Sequence, residues 1–186
     1  MFYPPVDERP ETQRFFDAAR EGLAELGLTS EIISTGGTPN LVNLGHLDGI
    51  TERRAGTCIF NDRMMLAAGI AKIGDCALNI VTSVVSRANE ARGILDAGSK
   101  TFTSDTGDLD GFGLILEHPE VTIYKLAEEH GFLDLSNCKT PLNVGDILRV
   151  IPNHVCVAVN MFDDLIAIRG ETLVGVLPVT ARGLLV

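Results

Sequence analysis

Hydrophobic and polar positions divide the chain into a helical opening and a long remainder rich in β-strands. Between Pro10 and Leu26 the apolar residues fall near one face of a helix, which Pro10 begins and Gly27 ends. From about Asp75 onward, short runs of β-forming residues alternate with turns of Gly, Asp, Asn and Pro. The pattern predicts an α/β segment followed by an antiparallel sheet.

Two short units near the start combine a strand with a glycine loop. Glu31–Ser34 leads through such a loop to a short helix opened by Pro39, and Ile50–Arg53 leads to a helix over Asn61–Ala71, capped by Asn61. The loops share glycine backbone and polar side chains, and their residues are Gly36, Gly37, Thr38, Gly56, Thr57 and Cys58. Loops in this position hold phosphates in parallel barrels, and a plain tight turn is the alternative.

The remainder of the chain predicts eight strands. They are Ala77–Val85, Ala91–Asp96, Phe112–Leu116, Val121–Leu126, Ile147–Ile151, Val155–Asn160, Leu165–Arg169 and Thr172–Pro178. We therefore expect an α+β fold, with a partial (β/α) barrel over residues 1–74 followed by an antiparallel β-domain over residues 75–186.

Composition narrows the class of partner. The 186 residues carry a net charge of −10, and their Lys and Arg residues form no stripe, which argues against a nucleic acid or an anionic membrane as partner. The cysteines form no Cys-x-x-Cys pair, and no secretory signal opens the chain. We expect free thiols and a cytoplasmic location.

His154 and Cys156 offer an imidazole and a thiol two residues apart, in a run that reads as a buried strand. Alternate residues of a strand point to the same face, so both side chains could bind one ion. Nitrogen with sulfur suits Zn²⁺ better than Mg²⁺ or Ca²⁺, and two ligands leave coordination positions open. The alternative is a core cysteine beside a hydrogen-bonded histidine.

Taken as a set, the motifs resemble the C-terminal half of the D-serine dehydratase and D-threonine aldolase group, fold-type III pyridoxal-phosphate enzymes related to alanine racemase. The matching stretches, in family order, are Ser34–Pro39, Glu52–Asp62, Asp96–Asp105, Glu129–Gly131, Gly145–Asp146 and Pro152–Cys156. The resemblance covers nearly the whole chain.

The resemblance also implies roles for individual residues. Both glycine loops would hold the phosphate of pyridoxal 5'-phosphate, although the family usually has a tyrosine where this chain has Cys58. His154 and Cys156 match the metal pair of the dehydratases, whereas aldolases tend to have histidine with aspartate there. The Schiff-base lysine of the family lies upstream of every matched motif. The lysines of this chain do not occupy that motif and are Lys72, Lys100, Lys125 and Lys139.

The resemblance thus implies a pyridoxal-phosphate- and Zn²⁺-dependent D-amino acid dehydratase, acting on a small D-amino acid as in the conversion of D-serine to pyruvate and ammonia. Another divalent cation could replace zinc. Because the lysine is missing, we expect a fragment that is inactive alone and a homodimer in the complete family fold. The alternatives are a D-threonine aldolase-like lyase and a non-catalytic module that binds metal or a partner.

Overall fold

The computed structural model describes residues 9–39 and 47–184. Its helices are α1 (Arg9–Glu25), α2 (Arg63–Ala67), α3 (Ser99–Phe102) and α4 (Val155–Val159). Its strands are β1 (Ser34–Gly36), β2 (Glu52–Arg54), β3 (Ile80–Asn89), β4 (Arg92–Leu95), β5 (Leu114–Ile115), β6 (Thr122–Leu126), β7 (Gly131–Asp134), β8 (Ile147–Ile151), β9 (Asp164–Arg169) and β10 (Thr172–Pro178). No helix among the described residues is both long and apolar enough to cross a membrane.

The opening segment contains one helix and a pair of parallel strands. Helix α1 matches its predicted bounds within one residue, and Gly27 follows it with a positive φ of 71°, a conformation that suits glycine. Strands β1 and β2 start two to three residues later than predicted and pair in parallel, with Ser34 opposite Glu52. Both glycine loops therefore leave the same edge of this pair. The helix predicted from Pro39 falls largely on residues 40–46, outside the described ranges.

The larger part of the fold is a six-stranded antiparallel sheet in the order β5-β8-β3-β4-β7-β6. Alternation along β3 shows how the sequence builds it, because Ile80, Thr82 and Val84 are buried while Val81 is 67% exposed. Just before β5, the backbone N–H of Phe112 donates to the carbonyl of Ile123 in β6 across 2.9 Å. This bond links the two edge strands, so the sheet is nearly closed into a barrel. The α+β prediction is confirmed.

Strands β9 and β10 form a separate antiparallel hairpin. Large apolar side chains stay exposed along it, namely Ile166, Ile168, Leu173, Val174, Val176 and Leu177. The described part of the chain leaves them uncovered, an unusual amount of apolar surface for a hairpin of this length.

Two local predictions are wrong, and one strand was missed. Val155–Asn160 was predicted as a strand from its valines, but Val155–Val159 is helical. Strand β8 ends at Ile151, before a proline that lacks a backbone N–H, and the carboxylate of Asp62 then accepts from the N–H of Val155. The capping residue of α2 is Asp62 rather than Asn61. Strand β7 was missed because its four residues carry little pattern.

Candidate cofactor and metal site

The two glycine loops are joined to each other. The backbone N–H of Cys58 donates to the hydroxyl of Thr38 across 3.1 Å, and the N–H of Gly37 donates to the carbonyl of Arg54 across 2.8 Å. Thr38 and Thr57 are both buried. The parallel pairing of β1 and β2 thus places all six predicted cofactor residues in one connected region.

The donors left for an anion are fewer than the sequence suggested. The N–H groups of Gly37 and Cys58 are engaged within the loops, and Gly36 also has an interaction of its own. Within the described residues, the N–H groups of Gly56 and Thr57 have no acceptor. A Cβ placed on Gly56 would meet no atom within 4 Å, so the loop is open to a ligand there. The second loop therefore suits a phosphate better than the first.

Asp62 lies at the centre of the neighbouring polar network and is 0% exposed. One carboxylate oxygen accepts from the N–H of Met65 at 3.0 Å, and the other accepts from the N–H of Val155 at 3.0 Å. That second oxygen also lies 3.4 Å from Nδ1 of His154, within ion-pair distance but out of line for a hydrogen bond. Asp62 therefore connects α2 of the opening segment to the residues that precede α4.

His154 is itself buried, and the carboxylate beside it acts on its pKa. The neighbouring Asp62 carboxylate raises the pKa of His154 above its usual value, and this effect outweighs the burial that would lower the pKa. A metal ion binds a ring nitrogen that carries no proton, so it would compete with protons for His154. Histidines that bind metals commonly direct their other ring nitrogen toward a carboxylate, and the Asp62–His154 pair has this arrangement.

Cys156 contacts the second glycine loop. Its Sγ lies 3.6 Å from the hydroxyl of Thr57. The strand that was expected to present His154 and Cys156 on one face is absent, since His154 caps a short helix and Cys156 stands in its first turn. The structure nevertheless brings the predicted metal pair beside the predicted phosphate loop.

Asn153 fixes the backbone just before His154. Its side-chain oxygen accepts from the N–H of Gly113 at 2.9 Å and from Arg63 at 3.1 Å, and its amide donates to the carbonyl of Gly111 at 2.8 Å. Burial lowers the pKa of the Arg63 guanidinium. These bonds tie α2, the residues before β5 and the approach to α4 into one rigid unit around His154.

Comparison with known proteins identifies the family of this chain. Residues 77–168 match the profile of a family described as "Putative serine dehydratase domain". D-threo-3-hydroxyaspartate dehydratase of a Delftia species is 30% identical over 155 residues, 74% of this chain and 41% of that enzyme. The D-threonine aldolase of an Arthrobacter species is 27% identical over 175 residues, 87% of this chain and 42% of the aldolase. The chain belongs to the D-serine dehydratase and D-threonine aldolase family.

Solved structures agree with this assignment. The D-threonine aldolase of Filomicrobium marinum superposes with a TM-score of 0.79 at 25% identity, covering 97% of this chain and 49% of the aldolase. An alanine racemase of Bacillus anthracis superposes with a TM-score of 0.51 at 15% identity, which shows the shared fold alone. The chain thus spans about half the length of the enzymes that it matches.

Two further comparisons concern a shorter relative and the spacing of a histidine and a cysteine. An uncharacterized protein of Mycobacterium tuberculosis is 36% identical over 130 residues, 67% of this chain and 98% of that protein. A D-threo-3-hydroxyaspartate dehydratase has been solved as a histidine-to-alanine variant and as a cysteine-to-alanine variant in a metal-free form, and the two substituted positions are two residues apart. The histidine and cysteine of the present chain have the same spacing.

None of the lysines with described side-chain contacts belongs to the site of this family member. Lys100 pairs with Glu129 and Glu128 on the surface, and hydrogen bonds to these two carboxylates raise its pKa. Lys125 lies over the ring of Phe132 on the β-sheet, with Nζ 5.4 Å from the ring centroid. A protonated, surface-paired amine is a poor nucleophile, so Lys100 is not suited to attack a carbonyl.

Sequence reasoning assigned no role to Asp62, which is the most enclosed polar residue near the site. The available signal was the pair Asn61 and Asp62 immediately before a helical run, because either residue can cap a helix. Asn61 instead adopts a positive φ of 53° and donates to the carbonyl of Asp75 at 3.0 Å. The contact of Asp62 with His154 depends on tertiary structure and has no local signature in the sequence.

Proposed function

We propose that this chain forms the cofactor-phosphate and metal-binding half of a D-amino acid dehydratase. The observation that carries the proposal is the 3.6 Å contact between Cys156 Sγ and Thr57 Oγ1. It unites a predicted metal ligand with a predicted phosphate loop, although the two are far apart in sequence. The family membership and the matching histidine–cysteine spacing of a D-threo-3-hydroxyaspartate dehydratase support the same assignment.

The metal half of the proposal assigns ligand roles to His154 and Cys156. Buried Nδ1 of His154 has no hydrogen-bond partner within the described residues and faces Asp62 at 3.4 Å, so the ring is available and oriented for a metal ion. Asp62 would hold the ring by accepting a hydrogen bond from Nδ1–H, which leaves Nε2 to bind the ion. A divalent cation such as Zn²⁺ would supply Lewis acidity toward a substrate β-hydroxyl.

The cofactor half assigns the phosphate of pyridoxal phosphate to the two glycine loops. Gly56 and Thr57 would donate backbone N–H groups, and the Thr57 hydroxyl, 3.6 Å from Cys156 Sγ, would donate to the same phosphate. Gly36, Gly37, Thr38 and Cys58 would shape the rest of the pocket, since several of their own donors are engaged. Pyridoxal phosphate would supply an electron sink for the carbanion formed when a D-amino acid loses its α-proton.

The choice between dehydratase and aldolase depends on Cys156. Family resemblance links histidine with cysteine to dehydratases and histidine with aspartate to aldolases. We therefore favour elimination of the β-hydroxyl from a D-serine-type substrate, giving an α-keto acid and ammonia, over retro-aldol cleavage.

Zinc and phosphate binding test the proposal without requiring turnover. We expect His154→Ala and Cys156→Ala each to bind one zinc equivalent fewer than the wild type after dialysis, while Cys58→Ala, which removes another exposed thiol, keeps the wild-type zinc content. Zinc content that is identical in all four proteins would contradict the metal assignment.

The phosphate site has its own comparison. Thr57→Val should weaken pyridoxal phosphate binding about tenfold, because a hydrogen bond to a charged group contributes roughly 1.5 kcal/mol or more. Thr172→Val, on an exposed strand, should bind as the wild type does. Competition by inorganic phosphate should reduce binding in both proteins, and its absence would argue against a phosphate pocket.

A second candidate is a non-catalytic module that binds metal or a partner protein. Its support is the surface pairing of Lys100 and the position of Lys125 on the sheet. We expect no lysine of this chain to retain pyridoxal after borohydride reduction. A single labelled lysine would exclude this candidate, whereas turnover of D-serine only after co-expression with a lysine-bearing barrel half would show that the dehydratase function needs that second polypeptide.

A further inference from the structure

A second group of metal-ligating side chains lies at one end of the antiparallel sheet. His118 and Glu120 belong to a turn closed by the bond from Val121 N–H to the His118 carbonyl, and Cys138 ends a turn closed by its own N–H to the Leu135 carbonyl. Thr122, the first residue of β6, pairs with Asp134, the last residue of β7. The register of this strand pair therefore places the two turns side by side.

The ligand atoms of the three side chains lie within 4.8 Å of one another. His118 Nδ1 is 3.8 Å from Cys138 Sγ and 3.8 Å from Glu120 Oε1. In a tetrahedral zinc site a nitrogen and a sulfur ligand stand about 3.6 Å apart, and a nitrogen and an oxygen ligand about 3.3 Å apart. The two separations measured from His118 Nδ1 exceed these values by about 0.5 Å or less.

The surroundings hold the ligands in place. Glu120 accepts from the backbone N–H of Lys139 at 3.1 Å, which fixes the carboxylate beside Cys138. The side chains of His118 and Glu120 are only 13% and 18% exposed, and Cys138 packs against the core of the sheet. In this partly buried setting, a cation would neutralise the Glu120 carboxylate and a deprotonated Cys138 and would give the His118 ring nitrogen a ligand.

We propose that His118, Glu120 and Cys138 bind a divalent cation of the zinc class, clamping the turn before β6 to the turn after β7. Thiolate with imidazole selects against Mg²⁺ and Ca²⁺, and three protein ligands leave one position for water. Binding would break the S–H bond of Cys138 and release its proton to solvent as the metal–sulfur bond forms. The thiol now donates to the Thr140 carbonyl at 2.9 Å, and the thiolate would turn from it toward the ion.

Zinc titration in a Cys156→Ala background tests this site independently of the one at His154. We expect that protein to bind one zinc equivalent, and the double variant Cys138→Ala/Cys156→Ala to bind none. The matched control Cys58→Ala/Cys156→Ala, which removes an exposed thiol elsewhere, should retain the metal. In this Cys156→Ala background, Co²⁺ in place of zinc should give a thiolate charge-transfer band that only proteins with Cys138 show.

Thermal unfolding separates ligand loss from misfolding. In the presence of a chelator, Cys138→Ala/Cys156→Ala should unfold cooperatively at a temperature close to that of the Cys156→Ala protein, and added zinc should stabilise only the latter. His118→Gln in the same background should behave like the loss of Cys138. Absence of zinc from the Cys156→Ala protein, or its retention without Cys138, would overturn the proposal. Either result leaves the test of His154 and Cys156 intact, since that test compares variants at the other site.

Discussion

The carboxylate of Asp62 lies 3.4 Å from Nδ1 of His154 while it accepts a 3.0 Å hydrogen bond from the N–H of Val155. Asp62 follows the second glycine loop, and His154 follows the last strand of the sheet. One fully buried side chain therefore holds together the two regions that the proposed function needs. Its contribution to stability and its contribution to metal binding should be separable.

Replacing Asp62 by Ala should lower the free energy of unfolding by about 2–4 kcal/mol, because it leaves the N–H groups of Met65 and Val155 without an acceptor in a buried setting. Urea denaturation measures the change. Asp75→Ala is the matched control, since Asp75 also accepts a backbone N–H, from Lys72 at 2.8 Å, but at an exposed position. We expect the control to lose at most about 1 kcal/mol. Equal losses in the two variants would show that burial of Asp62 adds nothing.

The strand pattern predicted most of the sheet, since alternation along β3 and the β8 run is a property of the sequence itself. The prediction of a strand over Val155–Val159 was wrong because valines favour strands. The helix begins there because Asp62, which is distant in sequence, accepts a hydrogen bond from the N–H of Val155. The proximity of the two glycine loops could be inferred from successive βα units. The contact of Cys156 with Thr57 could not be inferred from the sequence. Cys156 lies in a short helix, and the side chain two residues along a helix points in a different direction from the one two residues along a strand.

The cluster of His118, Glu120 and Cys138 shows the same limit in another form. Each residue stands in a turn with no motif spacing, so neither composition nor periodicity singles it out. Its members meet because β6 and β7 pair with Thr122 opposite Asp134. Register depends on the whole sheet, and β7 was not predicted at all.

Stability in acid should depend on Asp96. Burial alone would raise its pKa, but hydrogen bonds from the Thr82 hydroxyl at 2.6 Å and the Ser83 N–H at 2.8 Å lower the pKa below the ordinary 3.8. The folded state thus binds this proton more weakly than the unfolded state does. The resulting stability is present above the unfolded value and is lost as the pH falls through the folded pKa.

Thr82→Val therefore should destabilise the protein by about 1 kcal/mol at neutral pH, with the difference from wild type shrinking as the pH falls below 3.8. Thr82→Ser keeps the hydroxyl and is the control. Urea unfolding across this pH range measures both, and NMR titration of the carboxyl should show the Asp96 pKa rising only in the valine variant. A difference that stays constant with pH would contradict the role of the ionised carboxylate.

Close backbone approach at Gly98 should make that position intolerant of any side chain. A Cβ there would lie 2.4 Å from the carbonyl oxygens of both Ala127 and Glu128, atoms that accept hydrogen bonds from Ser99 and Lys100. Since backbone cannot yield as a side chain does, we expect Gly98→Ala to cost about 3 kcal/mol. Gly175→Ala, where a Cβ would meet no atom within 4 Å, should change stability by at most about 0.5 kcal/mol. Thermal melting measures the stability of the two variants. Similar melting temperatures for Gly98→Ala and Gly175→Ala would contradict the crowding at Gly98.

Asn153, which is 2% exposed, should matter to the fold more than any exposed asparagine, because both ends of its amide are used. Asn153→Ala would leave the N–H of Gly113 and the carbonyl of Gly111 unpaired and would remove an acceptor from Arg63. Buried groups left without partners cost about 1–3 kcal/mol each, so a loss of about 3 kcal/mol in urea denaturation is expected. Asn143→Ala, at an exposed turn, should cost little. A loss close to zero for Asn153→Ala would contradict this role of Asn153. In that case Asp62 alone would hold His154 in place. Asp62→Ala would then abolish zinc binding at His154, and Asn153→Ala would leave it unchanged.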